Sequence, residues 1–302
     1  MGSPTLRIVR IVLYLAWTAS LMPVQGLGLL LRQPWTRRLP VFYHRWCCRI
    51  LGFRVRRIGR PSPLRPLLFA ANHVSYTDIP VLGSLLPASF VAKAEVAEWP
   101  LFGWLAKLQR SVFVDRRIGS TAAQRDAILA RLAKGDALIL FAEGTSSDGN
   151  RVLPFKSALF AAAQGNMPQG NMTGGAMAGA PVMVQPVSIA YTRLDGIPLG
   201  RDWRPFLAWY GAMSLAPHLW NMLGLGTVEV VVEFHSPISF AECGSRKALA
   251  RYCQERVAGG VAAALSGHRS PASLVEQNAT SPFSFPHAER EGAEPERARS
   301  YE

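Results

Sequence analysis

The chain has 302 residues, 49% of them apolar, and a formal net charge of +13. That apolar content is enough for a real core and excludes a chain disordered as a whole. The charge is one-sided, because a series of arginines from Arg7 to Arg65 runs through residues 1–72 with no Asp or Glu among them, which points to an anionic membrane surface before nucleic acid.

Residues 8–31 are almost wholly apolar and long enough to cross a bilayer. Pro23, Gly26 and Gly28 interrupt the run, and arginines at both ends leave its orientation open. A helical anchor is expected here, either spanning or re-entrant. In residues 39–53, Phe42, Trp46, Ile50 and Phe53 form one helical stripe bordered by Arg45 and Arg49. A helix lying in the membrane interface has this pattern, its arginines reaching lipid phosphates, and so does a core-packing helix with a solvated edge. Residues 1–53 are therefore expected to be a membrane anchor with an interfacial helix.

Strand and helix signals alternate over residues 54–265, which are expected to form one α/β domain with a mostly parallel sheet flanked by helices. Strands are expected at 67–71, 89–93, 111–114, 137–142, 182–190, 206–210 and 227–234. Helices are expected at 78–86, 121–134 and 245–265. Residues 164–180 contain Gln-Gly-Asn-Met twice and read as a flexible insert. The tail, 266–302, is rich in Ser, Pro, Arg and Glu without periodicity, a composition expected to be disordered. Cys47, Cys48, Cys243 and Cys253 lack metal-type spacing, and an adjacent pair is a poor disulfide framework, so reduced thiols are expected.

Three stretches carry candidate chemistry. Phe69-Ala70-Ala71-Asn72-His73-Val74-Ser75-Tyr76-Thr77-Asp78 puts a histidine at a strand end and a carboxylate five residues on. An imidazole suits removal of a hydroxyl proton near neutral pH, and a carboxylate on its other nitrogen would fix the tautomer. A packed strand-end histidine beside an aspartate that caps a helix gives the same spacing. After the 137–142 strand, Glu143-Gly144-Thr145 opens a polar turn followed by Arg151 and Lys156, groups that suit a polar or phosphorylated headgroup or a plain surface loop. Asp115-Arg116-Arg117 follows a buried strand, where arginine can grip phosphate or stay solvated or paired with Asp115.

Together, Asn72-His73 with Asp78, Phe90-Val91-Ala92-Lys93 with Pro100 and Gly103, Phe113-Val114-Asp115-Arg116, Phe141-Ala142-Glu143-Gly144-Thr145, Pro154-Phe155-Lys156 and Val184-Gln185-Pro186-Val187 resemble the ordered blocks of the glycerolipid acyltransferase family. The likeness covers roughly residues 40–240 and is strongest to bacterial 1-acylglycerol-3-phosphate acyltransferases and their lyso-ornithine lipid relatives. It implies acyl transfer from a thioester to the hydroxyl of a membrane lysolipid, 1-acylglycerol-3-phosphate or, as the alternative, lyso-ornithine lipid. Coenzyme A or acyl carrier protein would enter as a co-substrate, with no cofactor, no metal and no nucleic acid. By the same likeness His73 is the general base, Asp78 its partner, and Lys93, Arg116, Glu143, Gly144, Thr145, Arg151 and Lys156 bind substrate. The catalytic domain is then expected on the cytoplasmic face of a bacterial inner membrane. Ala142 and Ser146 depart from the pattern, since many phosphate-acceptor members have proline before the glutamate and arginine after the threonine. The segment from Ala208 through Trp220 resembles a subgroup feature.

Other classes fit less well. Gly-x-Ser-x-Gly, His-Glu-x-x-His and a P-loop are all missing from the sequence. A non-enzymatic basic membrane-surface protein would explain residues 1–65 but not the ordered motifs. The oligomeric state is left open.

Overall fold

In chain order the first half comprises α1 (Pro4–Leu30), α2 (Leu39–Leu51), β1 (Phe53–Ile58), β2 (Leu67–Ala71), α3 (Asp78–Gly83), β3 (Ser89–Lys93), α4 (Phe102–Leu108), β4 (Val112–Val114), α5 (Thr121–Leu132) and β5 (Leu138–Phe141). The second half comprises β6 (Met183–Leu194), β7 (Ile197–Pro198), α6 (Leu215–Leu223), β8 (Val228–Phe234), β9 (Ile238–Ser239), α7 (Phe240–Cys243) and α8 (Arg246–Ser266). This computed structural model describes residues 2–114, 121–164 and 179–267. Asp115, Arg116, Arg117, the repeat after Gln164 and the tail from residue 268 lie outside the described residues.

The strands form one sheet in the order β1-β8-β6-β2-β5-β3-β4, with β7 and β9 added along β6. Pairing is parallel except where β6 meets β8, β7 and β9. β2 lies between β5 and β6, and all five of its residues are buried. A strand covered on both faces needs an unbroken apolar run, which Leu67-Leu68-Phe69-Ala70-Ala71 supplies. Leu67, Phe69 and Ala71 face a core shared with α2, α3 and α6 through Cys48, Leu82 and Met222. Leu68 and Ala70 face the other core, closed by Leu132 of α5 and Leu249, Cys253 and Val257 of α8. Helices on both faces leave the ends of the parallel strands as the place for a site.

Several elements differ from expectation. Residues 206–210 are not a strand: Pro205 starts a 3-10 turn at Arg204–Phe206, and Trp209 then donates its N–H to Val74 rather than to a neighbouring strand. The helix after Asp78 ends at Gly83 instead of residue 86, and Asp78 does not cap it, because its carboxylate turns back to the preceding loop. α2 stops at Gly52, whose φ of 81° is accessible to glycine, so Phe53 leaves the expected stripe and is buried in β1. β1 itself was hidden by its arginines. Its alternation Phe-Arg-Val-Arg-Arg-Ile suits an edge strand paired only with β8.

α1 is a 27-residue helix that continues through Pro23, and it is the one described helix long and apolar enough to cross a membrane. Its polarity is inverted relative to a soluble helix. Arg10, Thr18, Gln25 and Gly28 are buried against the protein, whereas Ile8 is 56% exposed and Leu30 77% exposed. Arg10 donates to the Leu223, Leu225 and Gly226 carbonyls, Thr18 bonds Tyr43, and Gln25 donates to Thr36 and Leu108. Trp46 and Phe42 of α2 are exposed beside Trp17 of α1, and Arg45 is tied to the Ser84 carbonyl.

Candidate active site

The site grows from the end of β2. Asn72 is buried and its side-chain amide exchanges two hydrogen bonds with the backbone of Ile189, 2.9 Å to the carbonyl and 2.8 Å from the N–H. The amide prolongs the β2–β6 ladder by one rung after the strand has ended. His73 follows at that fixed point, its ring stacked on Phe141 with centroids 3.9 Å apart.

Asp78 holds the loop in shape. One oxygen accepts from His73 Nδ1 at 2.8 Å and from the N–H groups of Val74 and Ser75 at 2.7 and 3.0 Å. The other accepts from the Tyr191 hydroxyl at 2.8 Å, and Tyr191 is itself 2.6 Å from the Thr77 hydroxyl. A carboxylate only accepts, so His73 carries its proton on Nδ1 and Nε2 presents a lone pair. Asp78 is fully buried, whereas the His73 side chain is 21% exposed. The arrangement is an imidazole with a fixed tautomer and one open nitrogen.

Glu143 lies beneath this loop. One carboxyl oxygen accepts from the His73 N–H at 2.8 Å and the other from the Leu153 N–H at 3.0 Å. Both oxygens are thus taken by backbone, and the residue braces the loops after β2 and β5 against each other. Gly144 has φ 73°, and a Cβ there would lie 3.0 Å from the Lys156 side chain, so glycine lets that lysine cross the turn. Ser147 donates to the His73 carbonyl from its N–H at 2.9 Å and its hydroxyl at 3.3 Å. Thr145, Arg151 and Lys156 are exposed around these loops, and Lys93 is exposed where β3 ends. The structure therefore joins His73, Asp78 and Glu143 in one network, sets Gly144 against Lys156, and leaves Lys93 and Arg151 outside that network. Arg116 is outside the described residues.

Burial raises the Glu143 carboxyl to about 8, with its two backbone N–H donors opposing and Asp78 and Asp148 adding to the rise. An unfolded glutamate loses its proton near 4.3. Between those values the native state holds the extra proton, so this group's contribution to stability is full below about pH 4 and falls as pH rises through about 8. Glu143→Gln is neutral throughout and is expected to flatten that part of the stability profile. Denaturation midpoints taken across this range check it, and an unchanged profile counts against the raised carboxyl.

From His73 a cavity of about 490 Å³ opens between the sheet and the N-terminal helices. Phe90, Tyr76 and Trp99 line it with Leu15 of α1, Tyr43 of α2 and Leu219 of α6. It also reaches Gln25 and Gln109, and Gln109 donates to the Ala88 carbonyl just before β3 begins. The cavity thus extends from the C-terminal end of β2 toward the N-terminal end of β3. Sequence reasoning missed its helical walls, Asn72 and Tyr191 as supports, and Ser147. Of these, Asn72, polar at the end of an apolar run, carried a usable signal; Tyr191, within the long apolar β6 sequence, carried none.

Comparison with known proteins shows the family. A family model described as Acyltransferase matches residues 54–190. A lyso-ornithine lipid O-acyltransferase of Brucella abortus is 46% identical over 269 residues, spanning 88% of this chain and 98% of that protein. One from Rhizobium meliloti is 44% identical, spanning 78% of this chain and 79% of that protein. A 1-acyl-sn-glycerol-3-phosphate acyltransferase of Neisseria meningitidis is 32% identical over 66% of this chain and 72% of its own length. The crystal structure of the 1-acyl-sn-glycerophosphate acyltransferase of Thermotoga maritima has a TM-score of 0.59 at 23% identity, covering 89% of this chain and 100% of that one, a likeness of fold.

Proposed function

The chain belongs to the acyltransferase family that acts on lysolipids, and from that premise we propose that it acylates the free hydroxyl of lyso-ornithine lipid, with His73 as general base. The observation that carries the mechanism is the His73–Asp78 pair, which directs a bare Nε2 toward an apolar cavity. In this reading the acyl chain of a thioester, carried by coenzyme A or acyl carrier protein, lies in the cavity with its carbonyl at the His73 end. Nε2 takes the acceptor proton as the oxygen attacks the carbonyl carbon. The intermediate then collapses, the C–S bond breaks, and the leaving thiolate takes the proton back from the imidazolium. The products are an O-acyl lipid and a free thiol. Asp78 stays ionised and stabilises the transient imidazolium.

Two features support an ornithine acceptor over a glycerol phosphate. Relatives named for lyso-ornithine lipid are 46% and 44% identical to this chain, against 32% for the 1-acyl-sn-glycerol-3-phosphate relative. Ser146 stands where the phosphate-acceptor pattern has an arginine, which removes a bidentate phosphate donor. This reverses the order of the two acceptors expected from the motifs. Lys93, Arg116, Arg151 and Lys156 remain the cations proposed to hold the anionic groups of acceptor and donor, with Gly144 and Thr145 proposed as further contacts and Glu143 as a brace. Assays of the purified protein with each lysolipid are expected to give a kcat/KM at least about tenfold higher for lyso-ornithine lipid, a difference of roughly 1.4 kcal/mol. Equal or reversed preference would reject this acceptor.

The helix α1 is proposed to lie within one leaflet of the inner membrane, on the cytoplasmic side where thioester donors are made. Its side-chain hydrogen bonds to the rest of the chain run from Arg10 to Gln25, roughly 22 Å of helix axis. A crossing α1 would draw α2, α4 and α6 into the hydrocarbon with it.

A further inference from the structure

The segment between β7 and β8, from Arg204 to Leu223, holds none of the candidate site residues named above, yet it grips the catalytic loop at two points. We propose that Tyr76 and His218 are positioning residues for acyl transfer, holding the loop that carries His73 and Asp78, and that Arg10 anchors this hold to α1. The inference rests on the reading of His73 as the base.

Tyr76 lies between His73 and Asp78 in sequence, so a displacement at Tyr76 disturbs the hydrogen bond that orients the imidazole. Its hydroxyl is 3.0 Å from His218 Nδ1, with the rings at 87° and their centroids 5.6 Å apart. His218 is buried on α6, and burial holds it below the usual imidazole range, the Ala208 and Phe206 carbonyls opposing. A neutral ring that accepts the Tyr76 O–H at Nδ1 carries its proton on Nε2, a buried atom without a hydrogen-bond partner among the described residues, so the Tyr76 contact is the hydrogen bond that holds this ring. The second grip is the Trp209 N–H, which donates to the Val74 carbonyl at 3.0 Å while the indole packs edge-on against Tyr76 at 6.0 Å.

α6 is fixed in turn from the N-terminal helix. The Arg10 guanidinium donates to Leu223, Leu225 and Gly226 carbonyls at 3.1, 2.6 and 3.1 Å. Carbonyls at a helix C-terminus lack partners within the helix, and a cation there also complements its dipole. Ser3 adds a backbone bond to Gly224 at 3.2 Å. A continuous run of packed groups therefore links α1, the C-terminus of α6, His218, Tyr76 and the base. Leu219, Met222 and Leu223 of the same helix line the cavity, so the element that holds the loop also bounds the space for the substrate chain.

The test uses the full chain in lipid–detergent micelles with lyso-ornithine lipid and an acyl thioester. kcat, KM and the pH profile are compared for wild type, Tyr76→Phe, His218→Leu, His218→Asn and Arg10→Met. Small displacements of reacting groups lower turnover by up to about 100-fold, so Tyr76→Phe and His218→Leu are expected to lose roughly 10- to 100-fold in kcat. KM should stay put, since the loss lies in the alignment of the base, and the pH of half-maximal rate should move down as the imidazole loosens from the Asp78 carboxylate. His218→Asn places an amide oxygen close to the Nδ1 position and is expected to recover most of the loss, whereas Arg10→Met should lower kcat in the same direction as His218→Leu. Wild-type kcat in both Tyr76→Phe and His218→Leu would overturn the proposal. So would His218→Asn no better than leucine, or a loss confined to KM. Failure of wild type to acylate any lysolipid would instead overturn the reading of the base.

Discussion

His73→Ala is expected to lower kcat by about 10³-fold, while binding of the protein to lipid vesicles stays at the wild-type level. General-base catalysis contributes about 10² to 10⁴ in rate, and a thioester needs no covalent nucleophile to activate it, so under the proposed mechanism most of the chemical help comes from this one imidazole. The substitution removes a single donor to Asp78 and leaves the N–H groups of Val74 and Ser75 and the Tyr191 hydroxyl in place. The loop should therefore keep its path, and the loss should appear in turnover rather than in folding. A His73→Ala protein that turns over at the wild-type rate would remove the mechanism proposed above. Asp78→Ala differs in kind, because it leaves His73 Nδ1 and the Val74 and Ser75 N–H groups without their acceptor and the Tyr191 hydroxyl with Thr77 alone, around a fully buried position. Its loss of activity would come with a loss of stability of several kcal/mol.

Deletion of residues 1–30 is expected to abolish acyl transfer even when substrates are dispersed in detergent and no bilayer has to be found. A removable anchor would predict otherwise, with activity returning once the substrates are solubilised. In the structure α1 supplies Ile11, Leu15, Leu21 and Met22 to the cavity wall, and Arg10 to the C-terminus of α6. Without α1 that wall is open to solvent. A truncated protein retaining wild-type kcat in detergent would show that α1 serves attachment alone. Thermal melting of the truncated chain separates loss of the wall from loss of the fold.

The parts of the fold legible in the sequence were those whose pattern is local. The strands at 67–71 and 89–93 are bounded as expected because a strand buried on both faces must be apolar throughout and polar residues mark its ends. His73 and Asp78 were legible for a related reason, since five residues suffice to turn the chain and bring the two side chains together. What the sequence hid depends on distant partners. Tyr191 reaches Asp78 across 113 positions, and His218 reaches Tyr76 across 142. The edge strand β1 was masked by arginines that its solvent-facing positions tolerate. The aromatic run 206–210 has strand propensity but is used to clasp a loop, a case of tertiary context overriding local preference. For Glu143 the motif points to substrate, and nothing local signals that its two oxygens accept from the His73 and Leu153 N–H groups.

The inverted polarity of α1 bears on how the reaction's lipids travel. Each methylene moved from hydrocarbon into water costs about 0.8 kcal/mol, so lifting a two-chain product out of the leaflet would far exceed the free energy of most binding events. With α1 in the leaflet as proposed, its outward Ile, Val and Leu side chains continue the hydrocarbon up to the cavity wall. A lysolipid can then enter and an acylated lipid leave by sliding sideways past one helix, its chains never meeting water. Under that geometry the helix that closes the cavity is also the surface along which the lipid chains reach it.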